Sequence, residues 1–207
     1  MDELKVVVPD VANSMLPDDS LLNFYQGIEN RTFWITDEIS VYSLNLIHYI
    51  LEWNKEDEGI TPDHRVPIKL MFFSPGGDLD ANYALIDAIK LSKTPIIGIN
   101  IGKCASAAAY IFLSCHKRLM LPHSYFLFHQ GSGVISGTYG EICAQMEDYH
   151  EQVRELSDFV QKRTDYTEEE IMEKIVGEWY VRKDEAIEKG VAHEVITDIS
   201  VLIGDKF

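Results

Sequence analysis

Short β-type runs alternate with amphipathic helical runs along this chain, and that alternation limits its fold more than any other feature. The β-type runs lie at 31–36, 67–73 and 94–101. Between them, apolar residues recur at helical spacing, at 39, 44, 47 and 50 or 51 and then at 79, 83, 86 and 89. Strands that alternate with helices form right-handed βαβ units. We therefore predict an α/β fold with a largely parallel sheet covered by helices.

The second half of the chain continues with helical and β-type signals. Ala105 to Ser114 is apolar and Ala-rich, which predicts a buried helix, and short β runs follow at 118–121 and 125–129. Thr138 and Glu141 form a capping box before an apolar stripe at 142, 146, 149, 153, 156 and 160, which predicts a long helix. The stripe fits packing against its own domain or against another subunit. Shorter helices are predicted after a second capping box at 167–170 and over 184–189.

Domain organisation is predicted to be simple. The 207 residues suffice for one domain, and no repeat or linker divides them. The first twenty residues contain Pro9, Pro17 and two consecutive aspartates, so we expect 1–20 to be an irregular arm and 21–207 to be a single domain.

Composition disfavours several classes of function. With 34 acidic and 18 basic residues, the net charge of −16 argues against binding to nucleic acid or to anionic membranes. No apolar stretch approaches the ~20 residues of a membrane span, and the N-terminus does not resemble a secretory signal. Three unpaired-looking cysteines predict reduced thiols and a cytoplasmic location. No metal-ligand spacing and no phosphate-binding Gly-Lys-Ser/Thr sequence is present, so neither a metal nor a cofactor is expected.

Ser106 is a single hydroxyl among small residues in the stretch K-C-A-S-A-A-A at 103–109. It is placed where a predicted strand passes into a predicted helix. A serine nucleophile needs a base to remove its proton and N–H groups aimed at the developing oxyanion. The small neighbours would let a substrate backbone approach, and Gly76-Gly77 ends another strand where its amides can turn toward the same crevice.

His129 is the strongest candidate base among the seven histidines. It ends the apolar run 125–128 and precedes the flexible sequence Gln-Gly-Ser-Gly. Taken singly, a serine in an Ala-rich helix start and a histidine at a strand end are more often structural than catalytic. Cys104 could be imagined as a thiol nucleophile, but a buried cysteine usually behaves as a small hydrophobe.

Taken together, four motifs in the same order resemble the proteolytic subunit of the Clp protease (ClpP) family. The likeness extends from about Arg31 to Thr197 and includes later matches at 137–155, 179–186 and 190–191. The four motifs are Phe73-Ser-Pro-Gly-Gly77, Gly102-Lys-Cys-Ala-Ser-Ala-Ala108, Leu121-Pro122 and Phe128-His-Gln130.

The resemblance implies a ClpP/crotonase-like α/β fold with βαβ repeats and a protruding handle helix in the region of about 130–163. It also implies a serine endopeptidase with a Ser-His-acid triad. The implied roles are Ser106 as nucleophile, His129 as base, Glu178 as the acid, Gly77 and Ala107 as oxyanion-hole amides, and Gly76 and Gln130 as substrate-binding residues.

The implied partners are further copies of this chain, an ATPase and a protein substrate. The copies would form a heptameric ring and a stacked tetradecamer. An AAA+ unfoldase ATPase would feed this chamber with peptide or unfolded protein.

The chain departs from the family pattern at several positions. Glu178 stands where the family usually has Asp, Gly131 replaces a proline, and Val176-Gly177 replaces an acidic-basic pair that ties the two rings together. The N-terminal arm does not match the segment that meets the ATPase. Two alternatives therefore stay open, a non-catalytic ring subunit and a stand-alone or phage-type processing peptidase. A serine–lysine peptidase using Lys103 is a further variant, but it would leave His129 without a role.

Overall fold

The computed structural model describes residues 19–203. Its strands, in chain order, are β1 Thr32–Ile35, β2 Ile68–Ser74, β3 Ile96–Ala105, β4 Lys117–Met120, β5 Tyr125–Phe128, β6 Trp179–Arg182 and β7 Glu194–Val195. Its helices are α1 Asp19–Glu29, α2 Asn45–Glu56, α3 Leu79–Leu91, α4 Ala107–Ser114, α5 Tyr139–Arg163, α6 Glu168–Lys174, α7 Lys183–Glu188 and α8 Ser200–Ile203, with 3₁₀ turns at Val41–Leu44 and Pro62–His64. The predicted alternation of strands and helices is confirmed.

Strand β3 changes neighbours partway along its length. Its first half lies between β2 and β4, all parallel, with Ile97 opposite Lys117 and Asn100 opposite Met120. Its last three residues pair instead with β5, so that Ala105 lies opposite Leu127. The full path is β1-β2-β3-β4-β7, and β5 carries β6 as an antiparallel partner. The change of neighbour brings the ends of β3 and β5 together.

Helix α4 forms the centre of the core. All eight of its residues are buried, and it packs against α3 and the sheet. The small side chains of Ala107, Ala108 and Ala109 allow close approach of the neighbouring elements, because no long side chain separates them. A smaller cluster of Met71, Ile97, Ile99, Leu119 and Ile196 forms a second, separate apolar group.

Helix α5 begins at the predicted capping box and divides into two parts. Thr138 accepts from the Glu141 amide, and the Glu141 carboxylate accepts from the Thr138 amide at 2.7 Å. The first turns are exposed, including Ile142 and Met146, whereas Leu156 and Val160 are buried in the core. The apolar stripe therefore packs against its own domain at its C-terminal end, and the beginning of the helix protrudes.

The N-terminal region differs from the prediction. Residues 1–18 of the expected arm lie outside the described residues, and helix α1 begins at Asp19, inside the predicted irregular segment. Phe24 of this helix meets Phe33 and Tyr49 with ring centroids 6.4 Å and 6.2 Å apart. Sequence reasoning missed α1 because its aromatic contacts come from residues distant along the chain.

The first predicted helix also begins later than its apolar spacing suggested. Ile39 is buried and forms a parallel bridge with Gly77, and the helix α2 starts only at Asn45. Among residues 19–203, no helix combines the length and the apolar character needed to cross a bilayer.

A buried ion pair ties the start of β1 to the loop that follows α2. Arg31 binds the Asp57 carboxylate through two hydrogen bonds of 2.7 Å and 3.0 Å, and the Thr94 hydroxyl donates to the same carboxylate at 2.7 Å. Burial alone would raise the pKa of Asp57, but the hydrogen bonds and the positive charge outweigh it, and the pKa lies below its ordinary value. Asp57 thus holds three segments together in its ionised form.

We expect Asp57→Asn to destabilise the protein. The substitution removes the buried carboxylate and leaves Arg31 with only the exposed Glu56 as an ion-pair partner, so it should lower the free energy of unfolding by about 2–3 kcal/mol, or the melting temperature by roughly 5–10 °C. Because the folded-state pKa is lowered, this stabilisation is present above the ordinary pKa of about 4 and is lost as the pH falls below it. The melting difference between wild type and variant should therefore shrink in acid.

Asp63→Asn is the matched control, since Asp63 is exposed and has no hydrogen bond among the described residues. Thermal melting of both variants, followed by circular dichroism at pH 7 and below pH 4, checks the prediction. Equal melting temperatures for Asp57→Asn and wild type at pH 7 would contradict it.

Candidate active site

Ser106 occupies the sharp turn between β3 and α4. Its backbone has φ 53° and ψ −129°, a conformation that L-residues rarely adopt. The turn is held by the Ser106 amide, which donates to the Leu127 carbonyl at 2.8 Å, and by the Ala109 amide, which donates to the Ser106 carbonyl at 2.9 Å. The strand and the helix together keep the strained residue in place.

His129 directly follows β5 and reaches the serine. Its Nε2 lies 2.7 Å from the Ser106 Oγ, a hydrogen-bond distance. The pairing of Ala105 with Leu127 sets this approach, because it aligns the ends of the two parallel strands. The imidazole is placed to accept the hydroxyl proton of Ser106.

Gly76 and Gly77 lie against the serine turn from the end of β2. A Cβ on Gly76 would come within 2.6 Å of both the Ala105 carbonyl oxygen and the Ser106 Cβ, and its φ is +96°. Ile39 bonds to the Gly76 carbonyl and to the Asp78 amide, and no acceptor among the described residues takes the Gly77 N–H. Only glycine fits this close approach, and the Gly77 amide is left available to a ligand.

Ala107 supplies a second available amide. It is the first residue of α4, where a helix leaves its N–H groups without an intrahelical acceptor. Free amides at the N-terminus of a buried helix favour negative charge. The structure thus has two backbone donors near Ser106, at the positions that the sequence predicts for an oxyanion hole.

Ser106 and His129 line one cleft of about 320 Å³. The predicted substrate-binding residues Gly76 and Gln130 line it as well. Sequence reasoning did not assign several other residues of its wall to the site, among them Glu38, Leu79, Tyr110 and Tyr149. Two of them carried a signal, since Tyr110 follows Ser106 by one helical turn and Tyr149 belongs to the apolar stripe of α5.

The two tyrosines support the segment that carries His129. The Tyr110 hydroxyl donates to the His129 carbonyl at 3.4 Å, and the Tyr149 hydroxyl donates to the Gln130 carbonyl at 2.9 Å. The Gln130 amide donates to the Ile175 carbonyl at 3.1 Å. These bonds fix the backbone on both sides of the imidazole.

Glu178 is exposed, and its carboxylate does not meet His129. It accepts a hydrogen bond from the Tyr180 hydroxyl at 2.7 Å, and this bond raises the pKa of Tyr180 above its ordinary value. Within residues 19–203, no hydrogen bond engages the Nδ1 of His129. The structure therefore brings together Ser106 and His129, whereas Glu178, the third predicted triad residue, binds Tyr180.

Neither alternative nucleophilic system has geometric support. Cys104 is fully buried, and burial raises the pKa of its thiol well above the ordinary value, so the reactive thiolate is suppressed. Lys103 makes no hydrogen bond to Ser106 among the described residues.

The chain was compared with profiles of known protein families. The profile described as Clp protease matches residues 28–198, most of the sequence. The chain belongs to the Clp protease family.

Individual relatives in the family agree with this assignment. The ATP-dependent Clp protease proteolytic subunit 2 of Cutibacterium acnes is 28% identical over 187 residues, covering 88% of this chain and 85% of the relative. That of Treponema denticola is 29% identical over 131 residues, covering 62% of this chain and 66% of the relative.

A solved structure shows the same fold. A ClpP1 point mutant from Listeria monocytogenes superposes with a TM-score of 0.74 at 23% identity, covering 87% of this chain and 99% of that one. The predicted ClpP-like α/β fold is confirmed.

We expect Gly76→Ala to disable the serine turn. The new methyl group would force Ser106 or its amides to move, and a displacement of about 1 Å at a reacting atom can cost roughly 100-fold in rate. The rate at which a fluorophosphonate probe labels Ser106 measures the effect.

Gly133→Ala is the matched control, because a Cβ at Gly133 meets nothing within 4 Å and its φ is not positive. Labelling of the control should match wild type. If Gly76→Ala also reacts at the wild-type rate, the close approach of Gly76 to the serine is not required for its reactivity.

Proposed function

We propose that this chain is a serine endopeptidase, the proteolytic subunit of a Clp-type protease. Membership of the Clp protease family supports a peptidase. The observation that carries the finer proposal is the 2.7 Å contact between Ser106 Oγ and His129 Nε2, in a cleft that also holds Gly77. A positioned base, a strained nucleophile and free amide donors are the parts that acyl transfer to serine needs.

Peptide-bond cleavage would proceed in two halves. Ser106 Oγ attacks the carbonyl carbon while His129 Nε2 takes the hydroxyl proton, and the amides of Gly77 and Ala107 bind the resulting oxyanion. The imidazolium then gives its proton to the leaving nitrogen, the C–N bond breaks, and an acyl-enzyme ester remains on Ser106. A water molecule, deprotonated by His129, attacks the ester carbon, the bond from that carbon to Ser106 Oγ breaks, and the imidazolium returns the proton to Oγ as the acid product leaves.

Glu178 is proposed as the acid of the triad. A carboxylate hydrogen-bonded to Nδ1 selects the productive imidazole tautomer and stabilises the imidazolium. Support comes from its place directly before β6, next to Trp179, which pairs with Phe128 beside the base. The family usually has Asp here, and a Glu side chain is longer by one methylene.

Membership of the Clp protease family is the basis for a proposal on how the protein assembles and receives its substrate. We propose a homo-oligomer built from heptameric rings, stacked as a tetradecamer, with an AAA+ unfoldase ATPase delivering unfolded protein. The exposed Ile142 and Met146 near the start of α5 support contact with another subunit, because apolar side chains on a protruding helix favour burial. The matched relatives are named as proteolytic subunits of ATP-dependent Clp proteases.

A second candidate function is a ring subunit without catalytic activity. The contact of Glu178 with Tyr180 instead of His129 favours it, because the base then lacks an orienting acid. Wild-type protein that forms rings by native mass spectrometry but never reacts with a fluorophosphonate would support this candidate.

Ser106→Ala is expected to abolish both hydrolysis of fluorogenic peptides and labelling by a fluorophosphonate, because the attacking oxygen is gone. Ser136→Ala removes the same atom from an exposed position outside the cleft and should leave both activities intact. Persistence of hydrolysis and labelling in Ser106→Ala would rule out this serine as the nucleophile.

Glu178→Gln is expected to lower kcat by about 10³, because an amide at this position no longer favours the productive tautomer or the imidazolium. Glu173→Gln, which neutralises an exposed glutamate on α6, is the control for a general charge effect. Steady-state kinetics on one peptide substrate decides the matter. Near-normal turnover in Glu178→Gln would show that this carboxylate has no part in the reaction.

A further inference from the structure

The Tyr180 side chain shares one face of the β5–β6 pair with the residues of the candidate site. In this antiparallel pair, Tyr125 lies opposite Arg182 and Leu127 lies opposite Tyr180. Phe126, Phe128, Trp179 and Val181 are buried on one face, so the alternate residues point to the other face. The ring contact between Tyr125 and Tyr180, with centroids 5.8 Å apart, confirms that this second face is shared.

Glu178 stands where it can serve either of two partners. The ladder ends with the pair Phe128 and Trp179, and the residues that adjoin this pair are His129 after β5 and Glu178 before β6. The Glu178 side chain therefore begins two residues before Tyr180 on its own segment and across the end of the strand pair from His129.

We propose that Tyr180 is a positioning residue that holds the Glu178 carboxylate away from His129. This inference rests on the proposed function. In the state described by the structure, the Tyr180 hydroxyl binds the carboxylate at 2.7 Å, and Ser106 and His129 form a pair without their acid. The triad is complete only when Glu178 exchanges the phenol for the Nδ1–H of His129.

Glutamate makes this exchange feasible because it has one more rotatable bond than aspartate. A short carboxylate beside the base has little freedom to leave it, whereas the Glu178 side chain can turn toward a group two residues away. Both Glu178 and Tyr180 are exposed, so water competes for the bond and keeps it weak enough to break. When Ser106 transfers its proton, the positive imidazolium attracts the carboxylate more strongly than a neutral phenol does.

Other titratable groups near His129 do not supply the missing acid. Glu38, Tyr110 and Tyr149 line the same cleft from the loop after β1, from α4 and from α5. Tyr110 and Tyr149 bind backbone carbonyls, and no hydrogen bond within residues 19–203 joins Glu38 to the imidazole. Glu178 remains the carboxylate that adjoins the last strand pair beside the base.

The test is Tyr180→Phe, which removes one hydroxyl from an exposed ring. We expect kcat for a fluorogenic peptide and the rate of fluorophosphonate labelling to rise about three- to tenfold, because the bond that competes with His129 is lost. KM should stay at the wild-type value, because Tyr180 lies outside the set of residues that line the cleft.

Two further variants separate the proposed effect from a structural one. Tyr125→Phe removes the same atom from the neighbouring ring on the same face, which has no hydrogen bond to Glu178, and should leave kcat, KM and the labelling rate unchanged. In Glu178→Gln the second substitution Tyr180→Phe should bring no gain, because no carboxylate is left to release. Native mass spectrometry on each variant verifies that assembly is the same.

The outcomes distinguish this inference from the proposed function. If wild type hydrolyses peptide and labels at Ser106 while Tyr180→Phe is equal or slower, the positioning role of Tyr180 is overturned and the peptidase stands. If wild type is inert and Tyr180→Phe reacts, both are supported. If neither reacts, both are overturned.

Discussion

The pairing of the end of β3 with β5 is the constraint on which the candidate site depends. Up to Asn100 the strand lies beside β4, and from Lys103 onward it lies beside β5. This change of neighbour delivers Ser106 to the last residue of β5 and therefore to His129. It also places the start of α4, with its free Ala107 amide, beside the turn that contains Gly76. Helix packing, turn geometry and the hydrogen bond at Ser106 all follow from it.

Local chemistry explains how much of this could be predicted from the sequence. Most elements from β1 to α7 are predicted by local signals in the sequence, which are apolar spacing, the capping boxes at Thr138 and Thr167, and glycines where strands end. Helix α1 and the late start of α2 do not, because aromatic contacts from distant segments and the bridge of Ile39 to Gly77 decide them. Secondary-structure propensity depends on residues that are neighbours along the chain, whereas these contacts join residues that are distant in sequence.

The candidate site shows the same division at the level of side chains. The positions of Ser106, His129, Gly76 and Gly77 could be predicted, since each is fixed by a backbone element that the sequence marks. The orientation of the Glu178 carboxylate could not be predicted, because it depends on whether the carboxylate binds the Tyr180 hydroxyl or the His129 imidazole at an exposed surface. Tyr180 gave no signal as a functional residue, being one aromatic of an ordinary strand pattern.

The close packing of Gly76 has a consequence for how the cleft could change during evolution. One wall is main chain pressed against the nucleophile, where even a methyl group has no room. Other parts of the lining are side chains, among them Leu79 on α3 and Leu156 on α5, which make no hydrogen bond to the segment that carries His129. Substitutions at these two leucines can reshape the cleft while the serine turn and the support of His129 stay in place, so we expect new preferences for peptide sequence to arise in α3 and α5.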